Sequence, residues 1–218
     1  MLDFAAARRN MVEGQVRTAD VTDLRIISAM LEIPREAYVP AGKAALAYLD
    51  RDVPFGAGTA ARCLLKPMLL ARLIHAADIG PADSVLDVGC GSGYAAAVLA
   101  RLAAHVVALE EDAALAQSAR KSLGSLSTVK VETGALAGGW PGGGPYDAII
   151  VEGATEIVPE QLLSQLKVGG RLVCVLGGGP GAKATLYRRG TRDVGGRSIF
   201  DAAAPMLPGF VRPPEFAF

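Results

Sequence analysis

The chain has 218 residues, of which 51% are hydrophobic and 20% are charged. This composition excludes a disordered protein, and the length suits one α/β domain with an extension rather than two full domains. Lys plus Arg and Asp plus Glu number 22 each, so the chain lacks the basic excess of a general nucleic-acid-binding protein.

The cysteine and histidine content indicates a reducing compartment and no metal site. Cys63, Cys90 and Cys174 are widely spaced and include no CxxC pair, which argues against a disulfide framework. His75 and His105 are the only histidines, too few for an ordinary zinc site without clustered cysteines. The N-terminal residues contain no apolar signal region, and no apolar run is long enough to span a bilayer. We therefore predict a cytoplasmic protein with no membrane partner.

The first eighty residues predict a helical N-terminal layer. Helices are expected over residues 23–31, 42–49 and 67–77. Thr22 is the expected N-cap of the first helix, and Pro67 occupies the first turn of the third. Residues 52–62 are a loop that we expect to cover a ligand at the carboxyl ends of the strands.

A buried strand over residues 84–88 runs directly into a glycine-rich turn. Gly89, Gly91 and Gly93 alternate with other residues, which lets the backbone turn sharply and approach a ligand closely. A helix is expected over residues 94–102, and the amides at its N-terminus would point at that ligand. This arrangement predicts a site for a nucleotide-type cofactor.

Two carboxylates indicate which cofactor the turn accepts. A second parallel strand is expected over residues 105–110, and it ends in Glu110, which is placed to hold ribose hydroxyls. Asp87 precedes the glycines and would repel the pyrophosphate of a dinucleotide. S-adenosylmethionine (SAM) has no phosphate and carries an ammonium and a sulfonium group. The residues therefore favour SAM over NAD.

The remainder of the chain alternates strands and helices. Strands are expected over residues 129–132, 145–152, 171–176 and 184–189, and helices over residues 111–123 and 159–166, the latter stopped by Gly169 and Gly170. The pattern predicts an α/β fold with a doubly wound, mostly parallel Rossmann-like sheet, as in class I SAM methyltransferases. We expect a single domain over residues 1–218, made of the N-terminal layer (1–80), a SAM-binding core (81–180) and C-terminal strands with a Pro-rich tail (181–218).

Several blocks resemble the protein-L-isoaspartate O-methyltransferase family. They cover residues 11–15, 33–40, 47–50, 89–99, 139–141, 146–151 and 166–173. The middle blocks occur in many methyltransferases, whereas Met11 to Gln15 and Ile33 to Pro40 belong to the N-terminal layer of this family. The resemblance implies methyl transfer from SAM to the carboxylate of isoaspartyl residues in damaged proteins, with S-adenosylhomocysteine (SAH) as co-product.

The expected cofactor site combines the residue patterns with this resemblance. The residues predicted to bind the cofactor are Asp87, Gly89, Cys90, Gly91, Gly93, Glu110, Glu111, Gly134 and Ala135. The expected partner is an isoaspartyl-containing peptide or protein, with no nucleic acid, and we expect a monomer.

Two departures from the family lie at the acceptor and adenine ends of the site. The family has a short run that contains a serine, just before the proline that corresponds to Pro67. In this chain, counting back from Pro67 places Leu65 at the serine position, and counting forward from Gly58 places Arg62 there. Thr59 is the only nearby hydroxyl in the loop. After the third strand, Gly134 is followed by Ala135 where the family has an acid that contacts the adenine amino group. The catalytic residue is therefore not identified by sequence.

Three hypotheses follow. The first is an isoaspartyl carboxyl methyltransferase weakened by a divergent acceptor loop. The second is a methyltransferase with a different acceptor, and the third is a noncatalytic SAM-binding protein of the same fold. Against a nucleic-acid acceptor, the Asn/Asp-Pro-Pro-aromatic run of amino-methylating enzymes is replaced after the fourth strand by Glu152, Gly153 and Ala154.

Overall fold

The computed structural model describes residues 3–56 and 62–212. Within them the strands are β1 (Val53–Pro54), β2 (Cys63–Leu64), β3 (Ser84–Val88), β4 (His105–Glu110), β5 (Val129–Thr133), β6 (Tyr146–Thr155), β7 (Leu166–Leu176), β8 (Lys183–Arg189) and β9 (Val194–Asp201). Strands β3 to β9 form one sheet in the order β5-β4-β3-β6-β7-β8-β9. Strands β3 to β7 pair in parallel, β8 pairs antiparallel with β7, and β9 pairs antiparallel with β8.

Helices cover both faces of this sheet. They are α1 (Phe4–Met11), α2 (Leu24–Glu32), α3 (Pro67–Ala77), α4 (Tyr94–Leu99), α5 (Ala113–Leu123) and α6 (Glu160–Leu163). On β6, Ala148 and Ile150 pack into one apolar cluster, while Ile149 and Val151 pack into the other. Because side chains alternate along a strand, two buried faces require a layer on each side. The predicted doubly wound, mostly parallel fold is confirmed.

The N-terminal layer differs in detail from the prediction. The N-cap of α2 is Asp23, whose Oδ1 accepts from the amide of Arg25 at 2.8 Å, so the expectation of Thr22 was wrong. The helix expected over residues 42–49 is also wrong, because only one 3-10 turn forms there, over Ala44–Leu46. The carbonyl of Ala47 accepts from Arg35 Nε at 2.7 Å instead of continuing a helix.

The predicted helix over residues 159–166 with a glycine stop was too long. The helix α6 is one turn, and β7 already begins at Leu166. In the pairing of β6 with β7, Tyr146 lies opposite Leu166 and Ala148 opposite Arg171, so β7 carries extra residues in a bulge. A Cβ on Gly170 would lie 2.8 Å from the carbonyl oxygen of Lys167, which explains why glycine is required there.

The ends of other helices differ from the prediction by a few residues. The helix expected over residues 94–102 ends at Leu99, and the one expected from residue 111 begins after its N-cap Asp112. The strand β9 was not predicted, since it lies at the exposed edge of the sheet and contains two glycines. No helix within the described ranges is long and apolar enough to cross a membrane.

Candidate cofactor site

The turn between β3 and α4 has the backbone conformation that its glycines permit. The φ angles are +84° at Gly89, +55° at Gly91 and +95° at Gly93, all in the left-handed region. The amides of Gly89 and Cys90 both donate to the carbonyl oxygen of Leu109, at 2.8 and 3.1 Å. The turn is therefore held against the end of β4.

The three glycines face different neighbours. A Cβ on Gly93 would lie 2.6 Å from Leu123 of α5, so this glycine serves helix packing. At Gly91 a Cβ would lie 2.5 Å from the ring of Phe55, and at Gly89 it would lie 2.8 Å from Nη2 of Arg62. Two of the three glycines thus make room on the open side of the turn, where residues at the ends of the β1–β2 hairpin approach.

Glu110 is the acceptor at the centre of the site. Its side chain is fully buried at the end of β4. The Oε2 atom accepts from the amide of Gly91 at 2.8 Å, and Oε1 accepts from the amides of Glu111 and Asp112 at 2.9 and 3.0 Å. These backbone donors orient the carboxyl group and connect the glycine turn to the start of α5.

Arg62 also reaches Glu110. Its Nη1 lies 2.7 Å from Glu110 Oε1, and its Nη2 donates to the carbonyl oxygen of Gly89 at 2.6 Å. The backbone of Arg62 is held by a bond from the amide of Phe55 to its carbonyl oxygen at 2.9 Å. The hairpin of β1 and β2 therefore places an arginine and an aromatic ring over the glycine turn.

A second buried acid lies beside Asp87. Asp87 and Glu152 are on the adjacent parallel strands β3 and β6, on the face that also carries Val85 and Ile150. Asp87 is 0% exposed and Glu152 3% exposed. Burial raises the pKa of both carboxyl groups, to about 7 for Asp87. Glu152 was not among the predicted site residues, although it ends an apolar run on the chain as Glu110 does.

The acceptor-loop candidates do not lie together. Leu65 is fully buried in the apolar cluster of the N-terminal layer, and its carbonyl oxygen accepts from Arg35 Nη2 at 2.5 Å. Arg62 points into the cofactor site, as described above. Thr59 lies outside the described residues. A hydroxyl at the position of Leu65 would therefore face the core.

The remaining predicted cofactor residues surround the turn. Cys90 is buried, and burial raises the pKa of its thiol, which therefore stays protonated. The amide of Gly134 donates to the carbonyl oxygen of Glu110 at 3.1 Å, while Ala135 and Glu111 are exposed nearby. Glu111, Gly134 and Ala135 form the rim of the site at the ends of β4 and β5.

Sequence reasoning missed the tail segment that closes the other side. The amide of Leu207 donates to the carbonyl oxygen of Ala154 at 3.0 Å, and the amide of Ala154 donates to the carbonyl oxygen of Pro205 at 2.8 Å. Leu207 is 1% exposed, and its Cδ1 would lie 3.5 Å from a Cβ on Gly89. The tail thus lies along the end of β6, against the glycine turn.

Arg35 anchors the N-terminal layer to this region and was also missed. Its guanidinium is fully buried, 4.7 Å from the ring centroid of Tyr94 at the start of α4. Ser92 Oγ donates to the carbonyl oxygen of Tyr38, whose ring packs on Tyr94 with centroids 5.5 Å apart. The sequence gives no local signal for this role, because Arg35 is followed directly by a second charged residue, Glu36.

Comparison with known proteins gives one consistent result. The family model described as Protein-L-isoaspartate(D-aspartate) O-methyltransferase matches residues 6–194. The protein-L-isoaspartate O-methyltransferase of Methylorubrum extorquens is 42% identical over 92% of this chain and 85% of its own length. The protein of the same name from Methylorubrum populi is 42% identical over 94% of this chain and 96% of its own.

Solved structures agree with this result. A structure named protein-L-isoaspartate O-methyltransferase has a TM-score of 0.82 and 25% identity, and the match covers 93% of this chain and 66% of that one. A Plasmodium falciparum protein, described as a protein-L-isoaspartate O-methyltransferase in complex with S-adenosyl-L-homocysteine, has a TM-score of 0.75 and 20% identity over 92% of this chain and 97% of its own. The latter likeness supports the fold.

Proposed function

This chain belongs to the protein-L-isoaspartate O-methyltransferase family, and we propose that it transfers the methyl group of SAM to the side-chain carboxylate of isoaspartyl residues in damaged proteins. The single observation that carries the assignment to the site is the position of Glu110. This buried carboxylate ends the strand next to the glycine turn, oriented by the amides of Gly91, Glu111 and Asp112. That is where a ribose would need a charged acceptor.

The buried acids fit the cofactor that the family uses. Neither oxygen of Asp87 accepts a hydrogen bond from an N–H or hydroxyl group within the described ranges. An ammonium group placed there would satisfy a carboxylate that is otherwise costly to bury. Asp87 is therefore assigned to the amino end of SAM and Glu110 to its ribose. The rim residues Gly134 and Ala135 are assigned to the adenine end, where the chain lacks the acid of the family.

Bound SAM supplies a methyl group on a positively charged sulfur. A carboxylate acceptor is already ionised near neutral pH, so the chain needs no general base to activate it. The contribution of the protein is alignment of the acceptor and exclusion of water, since the transfer removes an opposite pair of charges. Phe55 and Leu207 approach the turn from opposite segments and supply apolar walls.

The residues that align with the family serine favour slow methyl transfer. With Leu65 in the core and Arg62 bound to Glu110, neither position that aligns with the family serine offers a hydroxyl to orient the acceptor. Orientation by a single hydrogen bond in a closed site contributes about 1–3 kcal/mol. We therefore expect turnover below that of relatives that carry the serine.

Isotope transfer tests this function directly. Labelled SAM is incubated with an isoaspartyl peptide and with the matching aspartyl peptide, and label in each peptide is counted. We expect label in the isoaspartyl peptide alone. Label in neither peptide, with SAM still bound, would favour a different acceptor or a noncatalytic protein. The expectation of a cytoplasmic monomer stays a prediction, which sedimentation and cell fractionation address.

A further inference from the structure

The salt bridge between Arg62 and Glu110 lies inside the cofactor site. Arg62 is nearly buried, with 11% of its side chain exposed, and Glu110 is fully buried. The guanidinium bonds both Glu110 Oε1 and the carbonyl oxygen of Gly89, at 2.7 and 2.6 Å. It therefore connects the two sides of the glycine turn that a cofactor would contact.

Glu110 has little acceptor capacity left beside Arg62. Three backbone amides and one guanidinium N–H already donate to its two oxygens, and a carboxylate offers about four lone-pair directions. The backbone amides belong to the turn and to the start of α5. The guanidinium is the only one of the four donors that sits on a side chain, and so it is the donor that can leave without unfolding the turn.

Arg62 also occupies the space that the turn leaves open. Its Nη2 lies 2.8 Å from the position of a Cβ on Gly89, on the side where the missing side chain allows a ligand to approach. Its positive charge lies against the fully buried Glu110 and also interacts with the buried carboxyl groups of Asp87 and Glu152. A guanidinium at this point takes both the place and the charge of a cationic ligand.

We propose that Arg62 competes with the ribose of the cofactor for Glu110, so that SAM or SAH must displace the guanidinium in order to bind. The proposal rests on the proposed assignment of Glu110 to the ribose. Arg62 then sets the affinity and specificity of the site by holding it in a charge-balanced form until the cofactor arrives. Loss of the arginine should tighten binding rather than weaken it.

Calorimetric titration of the full chain with SAH measures this effect without requiring methyl transfer. We expect Arg62→Gln to bind SAH at least about tenfold more tightly than the unaltered chain, since a hydrogen bond to a charged group no longer has to be broken. Arg62→Lys keeps the charge but cannot bond Glu110 and Gly89 at the same time as a guanidinium does. Its SAH affinity should therefore lie between those of the unaltered chain and Arg62→Gln. Arg51→Gln removes an exposed charge from the same region and should change nothing.

A double variant tests whether the effect of Arg62 on SAH affinity depends on Glu110. In a Glu110→Gln background, Arg62→Gln should give less than a twofold change, because the competition has already been removed. Equal or weaker SAH binding by Arg62→Gln, with the unaltered chain still binding SAH, would overturn the competition and leave the cofactor site intact. Absence of SAH binding by both proteins would overturn the cofactor assignment and the competition together. Thermal melts confirm that each variant is folded.

Discussion

The carboxyl groups of Asp87 and Glu152 lie against each other across the adjacent parallel strands β3 and β6, at the point where both strands reach the cofactor site. Burial raises the pKa of each group, and their mutual interaction lowers that of Asp87 while raising that of Glu152 further. The two buried carboxyl groups therefore titrate as an interacting pair and not independently.

This pair predicts that cofactor affinity depends on pH. The positive amino end of the ligand favours the ionised form of Asp87, whose pKa in the free protein is raised to about 7. Below that pH the carboxyl is protonated, so binding must release the proton and is weaker; above it no release is needed. We expect SAH affinity to rise between about pH 6 and 8, approaching one decade per pH unit if one proton is released.

Titration calorimetry in buffers of different ionisation enthalpy measures the number of protons that are released when SAH binds. Asp87→Asn removes the carboxyl whose pKa burial raises, and should flatten the pH dependence. A flat profile for the unaltered chain, or uptake of protons on binding, would contradict the assignment of Asp87 to the amino end.

The same pair predicts how stability depends on pH in the absence of ligand. The pKa of Asp87 is higher in the folded chain, at about 7, than in the unfolded chain, at about 3.9. Its contribution to the free energy of unfolding is therefore fully present below about pH 3.9 and is lost as the pH rises to about 7. Asp87→Asn should therefore raise Tm at pH 8 more than at pH 5. Each kcal/mol corresponds to about 2–4 °C in a chain of this size. The exposed Asp50→Asn is the matched control, and equal shifts at both pH values would contradict the argument.

Replacement of Glu110 tests the ribose assignment. In an Arg62→Gln background, where no guanidinium competes for the carboxyl group, Glu110→Gln keeps the shape of the side chain but removes its charge, and should weaken SAH binding by about 1.5–3 kcal/mol, or one to two decades. Glu160→Gln removes an exposed acid at the start of α6 and should leave the affinity unchanged. Unchanged binding by Glu110→Gln in that background would show that the ribose is held elsewhere.

Leu65 tests the register of the acceptor loop. Because its side chain is fully buried, Leu65→Ala should lower the free energy of unfolding by about 2–5 kcal/mol, and Leu65→Ser by more, since the hydroxyl is also buried. Urea denaturation measures both. Increased methyl transfer by Leu65→Ser but not by Leu65→Ala would show instead that position 65 carries the orienting hydroxyl.

The centre of the fold was predictable because its signals are local. Residues 84–110 carry a strand, a glycine turn, a helix and a second strand in direct succession, and each element follows from its own sequence. The boundaries were less predictable. Gly169 and Gly170 suggest a helix stop when read alone, and only the pairing of β6 with β7 shows that they form a bulge.

The contacts that complete the site are long-range and were not predictable. Arg62 reaches Glu110 across 48 positions of sequence, and Leu207 reaches the glycine turn from the tail. Arg62 was considered from sequence only as a candidate for the acceptor position. No local pattern distinguishes an arginine that faces the acceptor from one that faces the cofactor, because that depends on how the hairpin folds over the turn.

Arg35 constrains any attempt to exchange the acceptor loop for that of a relative. One side chain bonds the carbonyl oxygens of Ala47 and Leu65, which lie on opposite sides of the β1–β2 hairpin. The hairpin is therefore fastened at both ends to a residue outside it. A chimeric protein that received residues 48–66 from another source would need a backbone that presents both carbonyls to the same guanidinium. The exchangeable unit is thus the hairpin together with the segment that contains Arg35.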